Sequence, residues 1–237
     1  MTSLHGKTIV VGGGTGDVGA GIVEVLVGAG ARVVVPVRSA DRRIALMDAS
    51  FDTERLTFVE AAPTDADSAA RLGAALSEIG QIDGAVASLG SWYQLGPVVD
   101  TPADGFRAAW ESLLQSHFLF ARAVLPVIAP GGSYVMINGA GSEVPVPGAS
   151  AVSINARGLT MLFEALVAEH PGLHVHMLLL RSLIATRARK NADPRWVTAR
   201  DVGEAVSWMF TDLGQLTAGG ILPLHARHAA SDAGSRS

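Results

Sequence analysis

The chain has 237 residues, 49% apolar and 17% charged, with a formal net charge of −4 and no cysteine. That size suits one large α/β domain; the missing thiols exclude disulfides, thiolate metal sites and cysteine nucleophiles, and the mild acidity gives no pull toward nucleic acid. No apolar stretch is expected to reach the roughly 18–20 residues that cross a bilayer, and "MTSLHGKTIVV" is too short for a secretory apolar region, so the expectation is a soluble, cytoplasmic protein without a membrane partner.

Strand-like and helical runs alternate along the chain. "KTIVV" (7–11) reads as a buried strand and "GAGIVEVLVGAG" (19–30) as a helix stopped by Gly28 or Gly30. A strand at 31–37 and a short helix at 40–49 follow, then the pair repeats at 55–61 and 67–80. "IDGAVASLG" (82–90) is a fourth strand. A long helical region runs from Asp104 to about Ile128. Residues 132–139 are strand five, 149–170 a long helix, 172–180 strand six, 199–213 a helix and 219–224 a last strand. The polar tail 225–237 is expected to lack structure, which leaves 1–224 as the domain.

Continuous apolar strands separated by helices predict a parallel sheet covered on both faces. Right-handed crossovers then give a Rossmann-type doubly wound α/β sheet of about seven strands, with its ligand site at the carboxyl ends of the strands. Residues 181–200 carry six of the 18 basic side chains and one acid. They read either as a solvated loop or as a lid facing an anionic ligand.

"VVGGGTGDVG" (10–19) joins the first strand to the first helix. Glycines there permit positive φ and let backbone N–H groups approach a phosphate, while the helix N-terminus supplies partial positive charge. Gly14, Gly16 and Gly19 match G-x-G-x-x-G, and Gly13, Gly16 and Gly19 match G-x-x-G-x-x-G; Thr15, Asp17 and Val18 fill the intervening positions. The alternative is a tight turn with no ligand. Strand two ends at Arg38, with Arg42 and Arg43 beyond it. A guanidinium suits a 2′-phosphate, so NADP(H) is preferred over NAD(H).

These segments, with "IDGAVASLG", "FLFARAVLPVI", "GGSYVMINGAG" and "DPRWVTARDVGEAVSWMFTDLGQLTAGGILPL", make the chain resemble the short-chain dehydrogenase/reductase (SDR) family over nearly its whole length. The glycine turn is closer to the atypical G-x-x-G-x-x-G branch than to T-G-x-x-x-G-x-G, whose second glycine falls on Asp17. The family's chemistry rests on an Asn–Ser–Tyr–Lys set. Its tyrosine exchanges a proton with the substrate oxygen, and its lysine, four residues on, lowers the tyrosine pKa.

That pair is missing here. Tyr93 is followed four residues later by Pro97 and Tyr134 by Asn138, and Lys7 and Lys190 lie far from the expected helix. The line-up puts Val152 at the tyrosine, Ala156 at the lysine, Leu113 at the asparagine and Gly139 at the serine, with Ser142 three residues on. Ala87–Ser88–Leu89–Gly90 stands where the resemblance implies "NNAG", so Ser88 and Gly90 are cofactor-lining candidates. Thr186 stands where a threonine touches the carboxamide. Asp17 opposes a pyrophosphate electrostatically, yet is equally good first-turn chemistry for a helix.

Tyr93, Ser142 and Glu143 are the candidate catalytic groups, with Glu143 an acid or base if burial raises its pKa. Ser150, Ser153 and Asn155 surround the missing tyrosine, and His117 reads as a packing residue. The histidines form no metal set. Three classes stay open: a divergent NADP(H) oxidoreductase acting on a small molecule, a non-redox cyclase, lyase or isomerase, and a silent dinucleotide sensor or inactive partner in a hetero-oligomer. The resemblance also implies a homodimer or homotetramer through the helices at 104–128 and 150–169.

Overall fold

The computed structural model describes residues 3–39, 41, 52–186 and 191–226. Most of the helix expected at 40–49 and most of the tail lie outside the described residues. Seven parallel strands form the central sheet: β1 (Thr8–Gly12), β2 (Arg32–Pro36), β3 (Leu56–Val59), β4 (Ile82–Ala87), β5 (Ile128–Gly139), β6 (His174–Arg181) and, last in the chain, β9 (Ile221–His225). Their order is β3-β2-β1-β4-β5-β6-β9. The chain moves outward from β1 through β3 and returns to place β4 against β1, with Ile9 opposite both Val33 and Gly84. The reversal opens a crevice at the carboxyl ends of β1 and β4.

Burial explains the continuous apolar strands. Successive side chains of a strand point to opposite faces, and both faces of this sheet are covered. Ile9, Val11, Val33 and Val35 pack with α1 (Asp17–Gly28) and α6 (Ala199–Met209). Val10, Val34, Tyr134 and Met177 face α2 (Ala66–Ile79), α4 (Ser116–Val124) and α5 (Ser150–Glu169). By length and composition α5 could cross a membrane, contrary to the sequence expectation, but half of it is buried against this core.

Two helices begin on capping boxes, Asp65 with Ser68 and Thr198 with Asp201. The long helical region is interrupted: α3 (Ala103–Trp110) passes through a π turn, Glu111–Gln115, before α4. The helix expected at 199–213 stops at Met209, because Thr211 caps a separate short α7 (Asp212–Gln215). The basic stretch contains two short strands the sequence did not announce, β7 (Ile184–Ala185) and β8 (Val197–Thr198), paired in parallel.

His176 of β6 is fully buried, and neither ring nitrogen has a hydrogen-bond partner among the described residues. Burial, then the neighbouring His174, lowers its pKa from 6.5 to about 4. The unfolded chain therefore binds the proton more readily. The stability due to neutral His176 is complete above pH 6.5 and is lost as pH falls toward 4, with a total on the order of 3 kcal/mol. Thermal melts across that window should show the loss, and His176→Leu should flatten it. An equally steep acid decline in the variant would refute the assignment.

Candidate functional site

The mouth of the crevice is built from backbone. After β1 the chain turns through Gly13, at φ +75°. A Cβ there would lie 2.0 Å from the Ser88 carbonyl oxygen, and the Ser88 N–H donates to Gly12 O at 3.0 Å. The ends of β1 and β4 are thus pressed together. A Cβ at Gly19 would lie 2.0 Å from Gly13 O, and one at Gly14 2.9 Å from Val35. The fold requires these three glycines whatever binds.

Gly16 differs. It caps α1 in extended backbone at φ −81°, is exposed, and its Cβ would meet only Gly13 O, at 3.2 Å. Beyond it the N–H groups of Asp17, Val18 and Gly19 have no acceptor among the described residues, as expected for a first helical turn. Thr15 and Val18 are half-buried beside them. Helix start, free donors and open backbone together form a seat for an anion.

One carboxylate shares that seat. Asp17 Oδ2 accepts a hydrogen bond from Thr186 Oγ1 at 3.2 Å, which joins the residue expected to touch a carboxamide to the first turn of α1. Thr186 directly follows β7. Arg38 is exposed just past β2; Arg42 and Arg43 lie outside the described residues. Ser88 and Leu89 are half-buried on the β4 side. Gly90, at φ +107°, closes onto Leu113 of the π turn, whose Cδ2 would be 2.4 Å from a Cβ.

The three catalytic candidates do not converge on one centre. Ser142 is buried and its hydroxyl donates to Gly139 O at 2.9 Å. Glu143 makes a two-pronged ion pair with Arg181. That guanidinium holds its carboxyl below the usual range. The raised pKa expected for an acid role is therefore corrected: Glu143 is an ionised partner of Arg181, and exposure gives it no desolvation large enough to oppose the pair. Ser142 and Glu143 line a cavity of about 230 Å³ toward the β9 edge, with Arg157, Thr160, Leu179 and Pro223. None of its lining residues belongs to the glycine turn. Tyr93 lies half-buried in the loop after β4, its hydroxyl without a partner among the described residues. That loop is held where Leu95 and Gly96 N–H donate to Gly148 O, both at 3.0 Å.

Most other polar groups nearby serve the scaffold. Ser153 Oγ accepts from Val146 N–H at 3.0 Å, and Asn155 Nδ2 donates to Ala151 O at 2.8 Å. Asn138, not singled out from sequence, braces β5 against α5 by donating to Ala156 O at 2.9 Å. His117 is buried with Nδ1 2.9 Å from Leu113 O, and burial lowers its pKa. Among the described residues no three His, Asp or Glu side chains are grouped to hold a metal.

A family model described as enoyl-(acyl carrier protein) reductase matches residues 15–225. The chain belongs to the short-chain dehydrogenase/reductase family. An uncharacterized oxidoreductase of Mycobacterium tuberculosis is 25% identical over 214 residues, covering 89% of this chain and 73% of the relative. Short chain aldehyde dehydrogenase 1 of Euphorbia lathyris is 26% identical over 207 residues, covering 83% and 72%. In fold, the chain matches a short-chain type dehydrogenase/reductase from Mycobacterium ulcerans with a TM-score of 0.85 at 19% identity, over 94% of this chain and 89% of that one. A dehydrogenase/reductase from Sinorhizobium meliloti gives 0.81 at 24%, over 94% of both.

In this SDR, Val152 and Ala156, where the line-up places the family's tyrosine and lysine, are both buried on α5.

The glycine turn of the SDR yields a graded test. Gly13→Ala combines left-handed strain with a backbone collision and should destabilise by at least about 2 kcal/mol. Gly6→Ala has comparable φ, +80°, but nothing within 4 Å, and should cost only about 1 kcal/mol. Denaturant titration of both variants measures the gap. Equal losses would show that the close approach to Ser88 does not matter.

Proposed function

We propose that this protein is an NADP(H)-binding oxidoreductase with a non-standard reactive centre, acting on a small molecule. The observation that carries the reading is the set of unpaired N–H groups at the start of α1 beside the exposed Gly16. Arg38, exposed beyond β2, supports NADP(H) over NAD(H), since a guanidinium can grip a 2′-phosphate with two parallel hydrogen bonds. Gly16, Val18 and Gly19 would hold the pyrophosphate, and Ser88 and Gly90 would border the nucleotide from the β4 side. The dinucleotide supplies hydride transfer, leaving the chain to bind, orient and handle the proton.

For that proton Tyr93 is the remaining donor. Ser142 is committed to Gly139 O and Glu143 is ionised, whereas the Tyr93 hydroxyl has no partner among the described residues. The aldehyde dehydrogenase relative supports a carbonyl or alcohol substrate. A second reading, dinucleotide binding without turnover, is favoured by buried Val152 and Ala156. Without the usual acid, carbonyl reduction loses roughly 10²–10⁴-fold in rate.

NADPH and NADH titrations followed by calorimetry test the cofactor assignment. Arg38→Ala should weaken NADPH at least about tenfold, 1.4 kcal/mol, and leave NADH nearly unchanged; equal losses would remove the 2′-phosphate role. Turnover that survives Tyr93→Phe would dispose of Tyr93 as donor, and binding with no turnover at all would favour the second reading.

We further propose a homodimer through the outer face of α4 and α5, where Phe118, Ile154 and Met161 are exposed. Met161→Glu should shift sedimentation toward monomer without lowering the melting temperature of the isolated subunit. A wild-type protein that sediments as a monomer at high concentration would refute this interface.

A further inference from the structure

We infer that Asp17 and Thr186 form a latch across the mouth of the cofactor crevice, and that the Asp17 carboxylate is the residue that sets how weakly a dinucleotide pyrophosphate is held. The inference rests on the nucleotide-binding reading above.

Its first support is position. Asp17 is the first residue of α1, exposed, one step beyond the open backbone of Gly16. A carboxylate there sits at the same positive helix end that a phosphate would use, without itself accepting a hydrogen bond from the orphan N–H groups. Two anions at one seat repel, and the repulsion is strongest where walls exclude water.

The second support is the tether. Thr186 directly follows β7, and a chain of paired and packed elements fixes where it stands. β7 pairs with β8, with Ala185 opposite Thr198. Thr198 caps α6. Helix α6 is pressed onto α1 with almost no side chain between them: a Cβ at Gly21 would lie 2.6 Å from Ala199, and one at Gly203 2.7 Å from Gly21 O. Arg200 pairs with Glu24 across the same contact at 3.2 Å. The Thr186 hydroxyl is thus presented to Asp17 through β7, β8 and α6, and its 3.2 Å hydrogen bond holds the carboxylate at the helix end. A pyrophosphate entering must break that bond and displace the carboxylate.

Two probes separate the latch from the nucleotide site as a whole. NADPH carries the pyrophosphate; adenosine 2′-monophosphate carries only the adenosine end that Arg38 would meet. Calorimetry on the full chain should find Asp17→Asn binding NADPH at least about tenfold more tightly than wild type, with adenosine 2′-monophosphate changed less than about twofold. Asp17→Glu, which keeps the charge, should stay near wild type. Thr186→Val should tighten NADPH by a smaller factor, and adding it to Asp17→Asn should gain nothing more, since both act on one contact. Unchanged NADPH affinity in Asp17→Asn, with adenosine 2′-monophosphate still bound through Arg38, overturns the latch and leaves the cofactor reading standing. Equal tightening of both probes also overturns it, because the carboxylate would then act as general charge. If neither probe binds wild type or variant, the latch and the cofactor reading fall together.

Discussion

At the junction of β1 and β4 two backbones meet with no space for a side chain. Gly13 sits in left-handed backbone against the Ser88 carbonyl, and Gly19 seats the first turn of α1 on Gly13. The position of α1 follows from that contact, and Gly21 and Gly203 then let α6 approach α1 closely. From α6 the order passes back through its cap at Thr198 to β8 and β7, ending at Thr186 beside Asp17. The whole rim of the crevice is therefore referred to one glycine-to-carbonyl approach. A larger residue at Gly13 would disturb not only a turn but the register of everything that borders the site.

The side of the crevice beside the π turn is organised on a different principle. Leu113 packs against Gly90, while Val152 and Ala156 are buried on α5. The π turn that carries Leu113 leaves Ser116 donating back to Ser112 O and sets His117 Nδ1 near Leu113 O, while the buried Gln115 Oε1 and His117 Nε2 have no hydrogen-bond partner among the described residues. Ser142, Ser153, Asn138 and Asn155 are likewise engaged in bracing loops and strands. A buried polar group that has satisfied its hydrogen-bonding capacity at home is costly to redeploy. Uncommitted groups near the crevice are the Tyr93 hydroxyl of the loop after β4 and, inside the helical layer, Gln115 Oε1 and His117 Nε2.

The sheet was legible because each of its inner strands is covered on both faces, giving unbroken runs such as "TIVVG" with no polar alternation to confuse the period. Two helices begin within one residue of the expected 67 and 199, at Ala66 and Ala199, each on a capping box that fixes the start. Other features had no local signal. β5 begins at Ile128, four residues before the expected 132, because its early part runs through Pro130, Gly131 and Gly132, which read as a turn. β7 and β8 are two residues each, too short for any periodicity. The partners that define the site chemistry are distant in sequence: Glu143 finds Arg181 across 38 residues, and Asp17 finds Thr186 across 169. Residue types nominated Glu143 and Asp17, but only topology assigns their partners.

Asp17 exposes a conflict inherent in using a helix end as a binding device. The unsatisfied N–H groups and the macrodipole favour negative charge, and a first-turn aspartate answers that demand for about 0.3–1 kcal/mol of stability. A bound phosphate would answer the same demand, so the two stabilisations compete. Asp17 answers the demand by charge alone, since its side chain accepts no hydrogen bond from those N–H groups. The carboxylate therefore stabilises the helix end by an electrostatic term that a phosphate bound there would have to overcome, and the hydrogen bond from Thr186 holds the carboxylate in place. Fold stability and cofactor affinity are opposed at this one side chain, and a substitution that loosens the first turn of α1 is the same substitution that opens its seat.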